Sequence, residues 1–249
     1  MYKLGLIGNP VSHSFSKEYF DAKFKKEDIS NFCYSLHRIK DLKDFPKLIK
    51  DKNLIGLNIT RPHKTNIIEY LDEIDEKAKI TNSVNTVFIH PKTKKKVGFN
   101  TDIIGFSQTI KDINTPNIKG LILGSGSVAK TISYCLNKKQ INHLIVSRNP
   151  RNHMIGYRDT KNIIDKHQLI INTTPLGQYP KNDQHPNLEY DLISKNHYCI
   201  DLIYNPSKTL FLKKSEAKGA KIRNGKKMLF TQAEASWRIW QNLIKKHNV

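Results

Sequence analysis

The chain has 249 residues, enough for one large domain or two modest ones, with 38% hydrophobic and 26% charged residues. No run approaches the roughly 18 consecutive apolar residues that a bilayer span requires. The start, MYKLGLIGNP, reads as a first strand and not as a signal peptide. The net charge of +20 arises from 42 basic residues of which only 7 are arginine, with the lysines spread along the chain. That pattern reads as a lysine-rich solvated surface, whereas a nucleic-acid reader clusters arginines and aromatics on one face; such a field also attracts anionic ligands. Three scattered cysteines, Cys33, Cys135 and Cys199, argue against a disulfide framework and for a reduced, cytoplasmic setting.

In chain order, Tyr2 to Gly8 alternates as a strand and ends in a Gly-Asn-Pro turn, and Ser16 to Lys26 has the spacing of an amphipathic helix. Strands follow at Cys33 to Ile39, Leu54 to Ile59 and Ser83 to Ile89, with helical segments near Lys43–Lys50 and Pro62–Leu71 between them. His90 to Lys96 reads as a hairpin tip leading into Val97–Phe99. Beyond residue 101 the pattern becomes strand Lys119–Leu123, a Gly-Ser-Gly turn, a helix to Asn137, then strands His143–Ser147, Leu169–Thr173 and Tyr198–Tyr204 and a helix between Ser207 and Lys218. A last helix is expected from Lys227 to His247. The alternation predicts an α/β protein of two lobes with a cleft between them: an N-terminal α/β domain and a Rossmann-like dinucleotide-binding domain with a parallel sheet. The expected division is 1–101 plus 228–249, and 102–227.

Several segments carry chemistry. Gly124-Ser125-Gly126 joins a strand to a helix, leaving backbone N–H groups to cradle a phosphate, and Ala129 supplies the third small residue of a dinucleotide fingerprint. The alternative is a plain Gly-x-Gly connection. About 20 residues on, where an NAD enzyme places an acid, stand Ser147-Arg148, with Arg151 close behind. A guanidinium pairs with a 2′-phosphate where an acid repels it, so the two arginines favour NADP over the alternative of two surface cations. In Asn58-Ile59-Thr60-Arg61-Pro62-His63-Lys64, Pro62 suits a first helical position and sets Lys64 one turn into the helix, unless Lys64 is one more surface lysine. Asp102 ends GFNTD at the lobe junction and either carries function or caps the next helix. Ser14 and Ser16 precede a helix, which their hydroxyls either cap or equip to hold a carboxylate. The ten histidines have no metal-ligand spacing.

Taken in order, GNPVSHSFS, NITRPHK, SVNT, GFNTD, the GSGS turn, SRN, INTTPLG, DLIYNP and MLFTQAEASW resemble the shikimate dehydrogenase family, over nearly the whole chain. The resemblance implies NADP-dependent reduction of 3-dehydroshikimate to shikimate, in the pathway to aromatic amino acids, by a monomer or homodimer with no nucleic-acid or membrane partner. It implies that Lys64 and Asp102 are catalytic and that Ser14, Ser16, Thr60, Asn85 and Gln232 line the substrate site. It assigns the cofactor to Gly124, Ser125, Gly126, Ser127, Val128, Ser147, Arg148 and Arg151, with Tyr204, Gly225 and Met228 towards the nicotinamide, and no metal. The chain departs from the family's pattern at Lys17, at Ser127 and Val128, at Asn82 and Ser83 before Val-Asn-Thr, at Thr173, and in a short stretch from Arg148 to Leu169. The rival readings are an NAD-dependent quinate/shikimate dehydrogenase, a folate-type methylene dehydrogenase of similar shape, and a non-catalytic basic protein that binds nucleic acid.

Overall fold

The structure, a computed structural model, describes residues 1–12 and 14–248; His13, within GNPVSHSFS, and Val249, the end of the expected 228–249 segment, lie outside the described residues. The chain divides into two units, Met1–Asp102 with Gln232–Val249, and Ile103–Thr231.

The first unit contains β1 (Tyr2–Gly8), α1 (Ser16–Lys26), β2 (Phe32–Arg38), the single turn α2 (Phe45–Leu48), β3 (Leu54–Ile59), β4 (Glu73–Ile74), α3 (Glu76–Thr81), β5 (Thr86–Ile89) and β6 (Lys96–Phe99). Its sheet has the order β2-β1-β3-β5-β6-β4, with β5 antiparallel to both neighbours and the other pairs parallel. Both faces are covered, so the strands read as apolar runs, with alternate side chains entering different cores. Leu4, Leu6, Ile55 and Phe88 pack with Phe20 and Phe24 of α1 and with Ala233, Trp237 and Trp240 of the last helix. Ile7, Leu57, Ile59, Val87 and Ile89 pack with Phe45, Ile67 and Ala78 on the other side.

The second unit begins within α4 (Asp102–Thr109) and continues with β7 (Gly120–Leu123), α5 (Ser127–Lys138), β8 (His143–Ser147), β9 (Met154–Gly156), β10 (Leu169–Asn172), β11 (Tyr198–Asp201), α6 (Leu210–Ala217), β12 (Lys221–Arg223) and the start of α7 (Lys226–Lys246). Its sheet is parallel throughout, in the order β12-β11-β10-β7-β8-β9. Ile122, Ile171 and Ile200 meet Phe106 of α4 and Ala129, Ile132 and Leu136 of α5. Leu121, Leu123, Ile170 and Cys199 meet Phe211 and Leu212 of α6. This is the Rossmann-like arrangement expected from the sequence, with helices on both faces.

Some local expectations are corrected. Residues 61–65 form turns, and only Asn66–Tyr70 is helical, as a 3₁₀ segment. Pro62 therefore does not open a helix, and Lys64 precedes one. The Lys64 carbonyl accepts the Val84 N–H at 2.8 Å instead of an intrahelical donor, and the following Thr-Asn-Ile-Ile run has weak helix propensity. The segment 43–50 holds only a 3₁₀ turn and α2, with a proline at the start of the latter. Helix α3, unforeseen, is capped by the Asp75 side chain, which accepts the Lys77 N–H at 3.0 Å. It ends at Asn82 in the left-handed conformation (φ 48°), where asparagine stands in for the family's glycine. Between Arg148 and Leu169 the chain makes β9 and two 3₁₀ turns in place of an α-helix.

Trp240 is fully buried, and its Nε1–H donates to the Val87 carbonyl at 3.0 Å. Trp240→Ala leaves a large cavity in the first unit and is expected to cost about 3–5 kcal/mol. Urea unfolding followed by circular dichroism measures that loss.

Candidate active site

The motifs of the first unit converge because of strand direction. β1, β3 and β6 share one direction and β5 runs against them, so the ends of β1, β3 and β6 and the start of β5 lie at one end of the sheet. Those ends carry GNPVSHSFS, NITRPHK, GFNTD and SVNT respectively. Lys64 Nζ lies 2.6 Å from Asp102 Oδ2, with the two side chains only 13% and 6% exposed. His63 anchors the turn beneath Lys64: it is buried, and its Nε2 donates to the Ile39 carbonyl at 2.7 Å. Asp102 is not a cap. Asn100 Oδ1 takes the Asp102 N–H at 3.2 Å, which leaves the carboxylate for Lys64 and Asn85.

Asn85 joins these groups. Its Oδ1 accepts the Thr101 backbone N–H at 2.7 Å, which fixes the orientation of the carboxamide. The NH₂ then donates to Asp102 Oδ1 at 2.9 Å and to Gln232 Oε1 at 3.3 Å. Further in, the Tyr34 phenol donates to Asn58 Oδ1 at 2.8 Å; burial raises its pKa well above the usual range, keeping it a neutral donor. Asn58 Nδ2 in turn faces Ser236 Oγ at 3.0 Å and Thr86 Oγ1 at 3.3 Å. Ser236, one helical turn after Gln232, donates to the Gln232 carbonyl at 2.9 Å. Tyr34, Asn58, Thr86, Thr101 and Ser236 were not foreseen as members of this network. The available signal was polar residues within otherwise apolar strands and the i, i+4 spacing of Gln232 and Ser236.

Ser14 and Ser16 lie at the start of α1, with their hydroxyls 3.1 Å apart. Ser16 is buried, and the helix-capping position, Phe15, supplies no side-chain cap, so the capping reading holds only for the 3.3 Å bond from Ser16 N to Ser14 Oγ. The Thr60 methyl fills the space above Gly8.

In the second unit every strand delivers its carboxyl end to the same edge, and the order reverses between β7 and β10, the place where open α/β sheets bind ligands. Gly124, after β7, has φ +107°, a conformation that side chains disfavour. Gly126 caps α5 with no side-chain hydrogen bond, and a Cβ built there meets nothing within 4 Å. A helix N-terminus without a side-chain cap and with open space at Gly126 fits a pyrophosphate. Ser127 and Val128 open that helix, and Ser125 Oγ lies 3.1 Å from Ser147 Oγ. Arg148 and Arg151 are exposed just past β8, and neither forms a salt bridge among the described residues, which fits a 2′-phosphate. Tyr204 is half-buried on the loop after β11, Gly225 lies against the Leu202 carbonyl, and Met228 is buried in the second unit's core. Asp102 thus groups with the first unit and Met228 with the second.

Asp201 ends β11 fully buried, and burial pushes its pKa up to about 6. The folded protein therefore binds this proton more tightly than the unfolded chain does. Its contribution to stability is greatest below about pH 4 and is lost as pH rises to about 6, a change on the order of 3 kcal/mol. Relative to Asp201→Asn, the wild-type protein is expected to lose stability between pH 4.5 and 7.5, as denaturant titrations at the two pH values measure.

Among the described residues no group of three or more His, Cys, Asp or Glu is arranged to hold a metal, and no helix is long and apolar enough to cross a membrane.

A Rossmann-like unit with an open glycine turn and a second unit holding a buried lysine–carboxylate pair define a two-domain dehydrogenase. Residues 6–87 match the family described as the shikimate dehydrogenase substrate binding domain. The chain is 36% identical to a shikimate dehydrogenase (NADP(+)) of Methanosphaera stadtmanae, over 95% of this chain and 90% of the relative. A crystal structure of a shikimate dehydrogenase in complex with NADP+ superposes with a TM-score of 0.86 at 31% identity, covering 97% of this chain and 90% of that one. The Thermus thermophilus enzyme in complex with NADP(H) and shikimate gives 0.85 at 25% identity, covering 97% and 94%. The chain belongs to the shikimate dehydrogenase family, which leaves the nucleic-acid reading without support.

Proposed function

We propose that the protein interconverts 3-dehydroshikimate and shikimate with NADP as the hydride carrier. The observation that carries this reading is the buried Lys64–Asp102 pair, held at 2.6 Å and tied through Asn85 to Gln232 in a chain of this family. Bound NADPH supplies the hydride that reduces the ketone carbon. Lys64 stands at the carbonyl oxygen, stabilises the developing alkoxide and transfers a proton to it; in reverse it takes the hydroxyl proton back. Asp102 holds the ammonium in place, while Asn85 and Gln232 address ring hydroxyls. Ser14, Ser16 and Thr60 donate to the substrate carboxylate without adding charge. Residues Gly124 to Val128 with Ser147 cradle the pyrophosphate side, Arg148 and Arg151 hold the 2′-phosphate, and Tyr204, Gly225 and Met228 border the nicotinamide. The two exposed arginines argue against the NAD-dependent quinate reading. Three free cysteines, two of them buried, fit a cytoplasmic enzyme supplying the pathway to aromatic amino acids.

Purified protein with shikimate is expected to reduce NADP, seen as absorbance of the reduced nicotinamide, and to reduce NAD far more slowly. Inactivity with both would overturn the reading. Arg148→Ala removes a charge-assisted contact of roughly 1.5–3 kcal/mol. The KM for NADP should therefore rise about tenfold or more, with little change for NAD; equal changes would remove Arg148 from the phosphate site.

Lys64→Ala should lower turnover by about 10²–10⁴-fold with a much smaller loss of shikimate binding. Lys17→Ala, an exposed lysine paired with Asp21, serves as the control. Near-normal turnover of Lys64→Ala would exclude it as the acid/base.

A further inference from the structure

The Asp201 carboxylate takes no part in the chemistry above, yet it is fully buried and no lysine or arginine pairs with it among the described residues. A buried carboxylate without a counter-charge costs free energy that an apolar residue at a strand end avoids, so its contacts call for a reason.

Those contacts are three donors, one at the end of β10 and two at either end of the loop after β11. Thr209 Oγ1 donates to Oδ2 at 2.6 Å, and the Ile203 N–H and Asn172 Nδ2 donate to Oδ1 at 3.0 and 3.1 Å. Because Asn172 gives its NH₂ to Asp201, its Oδ1 is turned towards Thr174 and accepts from that residue's N–H at 3.0 Å and hydroxyl at 2.6 Å. Thr174 Oγ1 accepts the Leu176 N–H at 3.3 Å, which closes the loop after β10. On the other side, Thr209 caps α6 by accepting the Leu212 N–H at 3.4 Å, so the loop from Leu202 to Thr209 is held at both ends.

The loop after β10 is the floor of the glycine turn. A Cβ at Gly124 would lie 2.8 Å from Thr173 Oγ1 and 3.0 Å from Thr174 Cγ2, and the Thr173 hydroxyl donates to the Leu123 carbonyl at 2.7 Å. Hydrogen bonds thus run from Asp201 through Asn172 to Thr174, whose neighbour Thr173 bonds the Leu123 carbonyl just before the phosphate turn, within one unit and at the point where strand order reverses. We propose that Asp201 is a positioning residue for the dinucleotide: its carboxylate sets the two loops after β10 and β11 so that the glycine turn keeps the shape that accepts the cofactor. The inference rests on the NADP reading above.

The test compares the wild-type protein with Asp201→Ala, Asp201→Asn and Thr209→Val, measuring NADPH binding by fluorescence titration, shikimate binding by calorimetry, and steady-state kinetics. Asp201→Ala removes the acceptor shared by three donors, leaving the Asn172 NH₂ only its 3.5 Å contact to the Leu176 carbonyl, and is expected to raise the NADP Kd and KM by about tenfold, the scale of unpaired buried donors. Turnover at saturating NADP and shikimate affinity should stay within about threefold, because neither depends on this relay. Asp201→Asn keeps an acceptor for Ile203 and Asn172 and lets the Thr209 hydroxyl turn to accept, so it should recover most of the affinity. Thr209→Val, which removes one donor and keeps the shape, should give a smaller rise in the NADP KM alone.

Unchanged NADP affinity in a folded Asp201→Ala protein overturns the proposal, as does a parallel loss of turnover and shikimate binding, which marks a general structural role. If Asp201→Ala does not fold, Thr209→Val decides: an NADP KM equal to wild type rejects the relay. A wild-type protein that neither binds NADPH nor oxidises shikimate defeats the functional reading itself; an active wild type with unaffected variants defeats only this inference.

Discussion

The orientation of one carboxamide governs the first unit. Asn85 sits where three adjacent strands bring their ends together, and its acceptor side is fixed by the backbone N–H of Thr101. That choice leaves its donor side for Asp102, and Asp102 then has a second oxygen for Lys64. An aspartate at position 85 would set a negative oxygen against Asp102; a leucine would leave buried donors and acceptors unpaired. The lysine is thereby held by a chain of hydrogen bonds rooted in the sheet, even though its own segment is a set of turns. Buried polar networks of this sort add little net stability, but they restrict the site to one arrangement when every member is satisfied.

The second unit solves a different problem with the same economy of parts. Its sheet is parallel, so six strands deliver their carboxyl ends to one edge. The chemistry there needs few side chains, because backbone N–H groups and the start of α5 supply the anion-binding character. What the side chains contribute is the shape of the turns. Thr173, where the family commonly has alanine, uses its hydroxyl to hold the Leu123 carbonyl, so the departure is absorbed by a local hydrogen bond.

The strongly apolar elements were legible in the sequence. Tyr2–Gly8, Ser16–Lys26, Leu54–Ile59 and His143–Ser147 are found with the expected bounds, because burial on two faces or one stripe leaves a clear period. The turns around Lys64 were read as a helix, because composition does not reveal that Val84 claims the carbonyl of Lys64. The short edge strands β4, β9 and β12 have too few residues to show a period. In the site, Lys64, Asn85, Asp102 and Gln232 could be named from their motifs, and the structure brings them together. The supporting polar residues, Asn58, Thr86, Thr101 and Ser236, escaped notice because their partners lie far away in sequence, with Asn58 and Ser236 178 positions apart. Asp201 was legible as part of a motif, but its burial and its three donors were not.

Helix α7 has a consequence for how the chain is made. Its first turn belongs to the second unit, while Trp237 and Trp240 complete the core laid against β1 and α1. A ribosome delivers the residues of β1 long before Trp240. The second unit, continuous from Ile103 to Thr231, has all of its chain available for folding before the first unit does. The segment of β1 and α1, although synthesised before the second unit, waits with Leu4 and Phe20 incompletely covered until Trp237 and Trp240 emerge. The order of maturation of the two units is therefore the reverse of the order in which they begin, and a nascent chain stalled just after Thr231 has every residue of the second unit while the first still lacks Trp237 and Trp240.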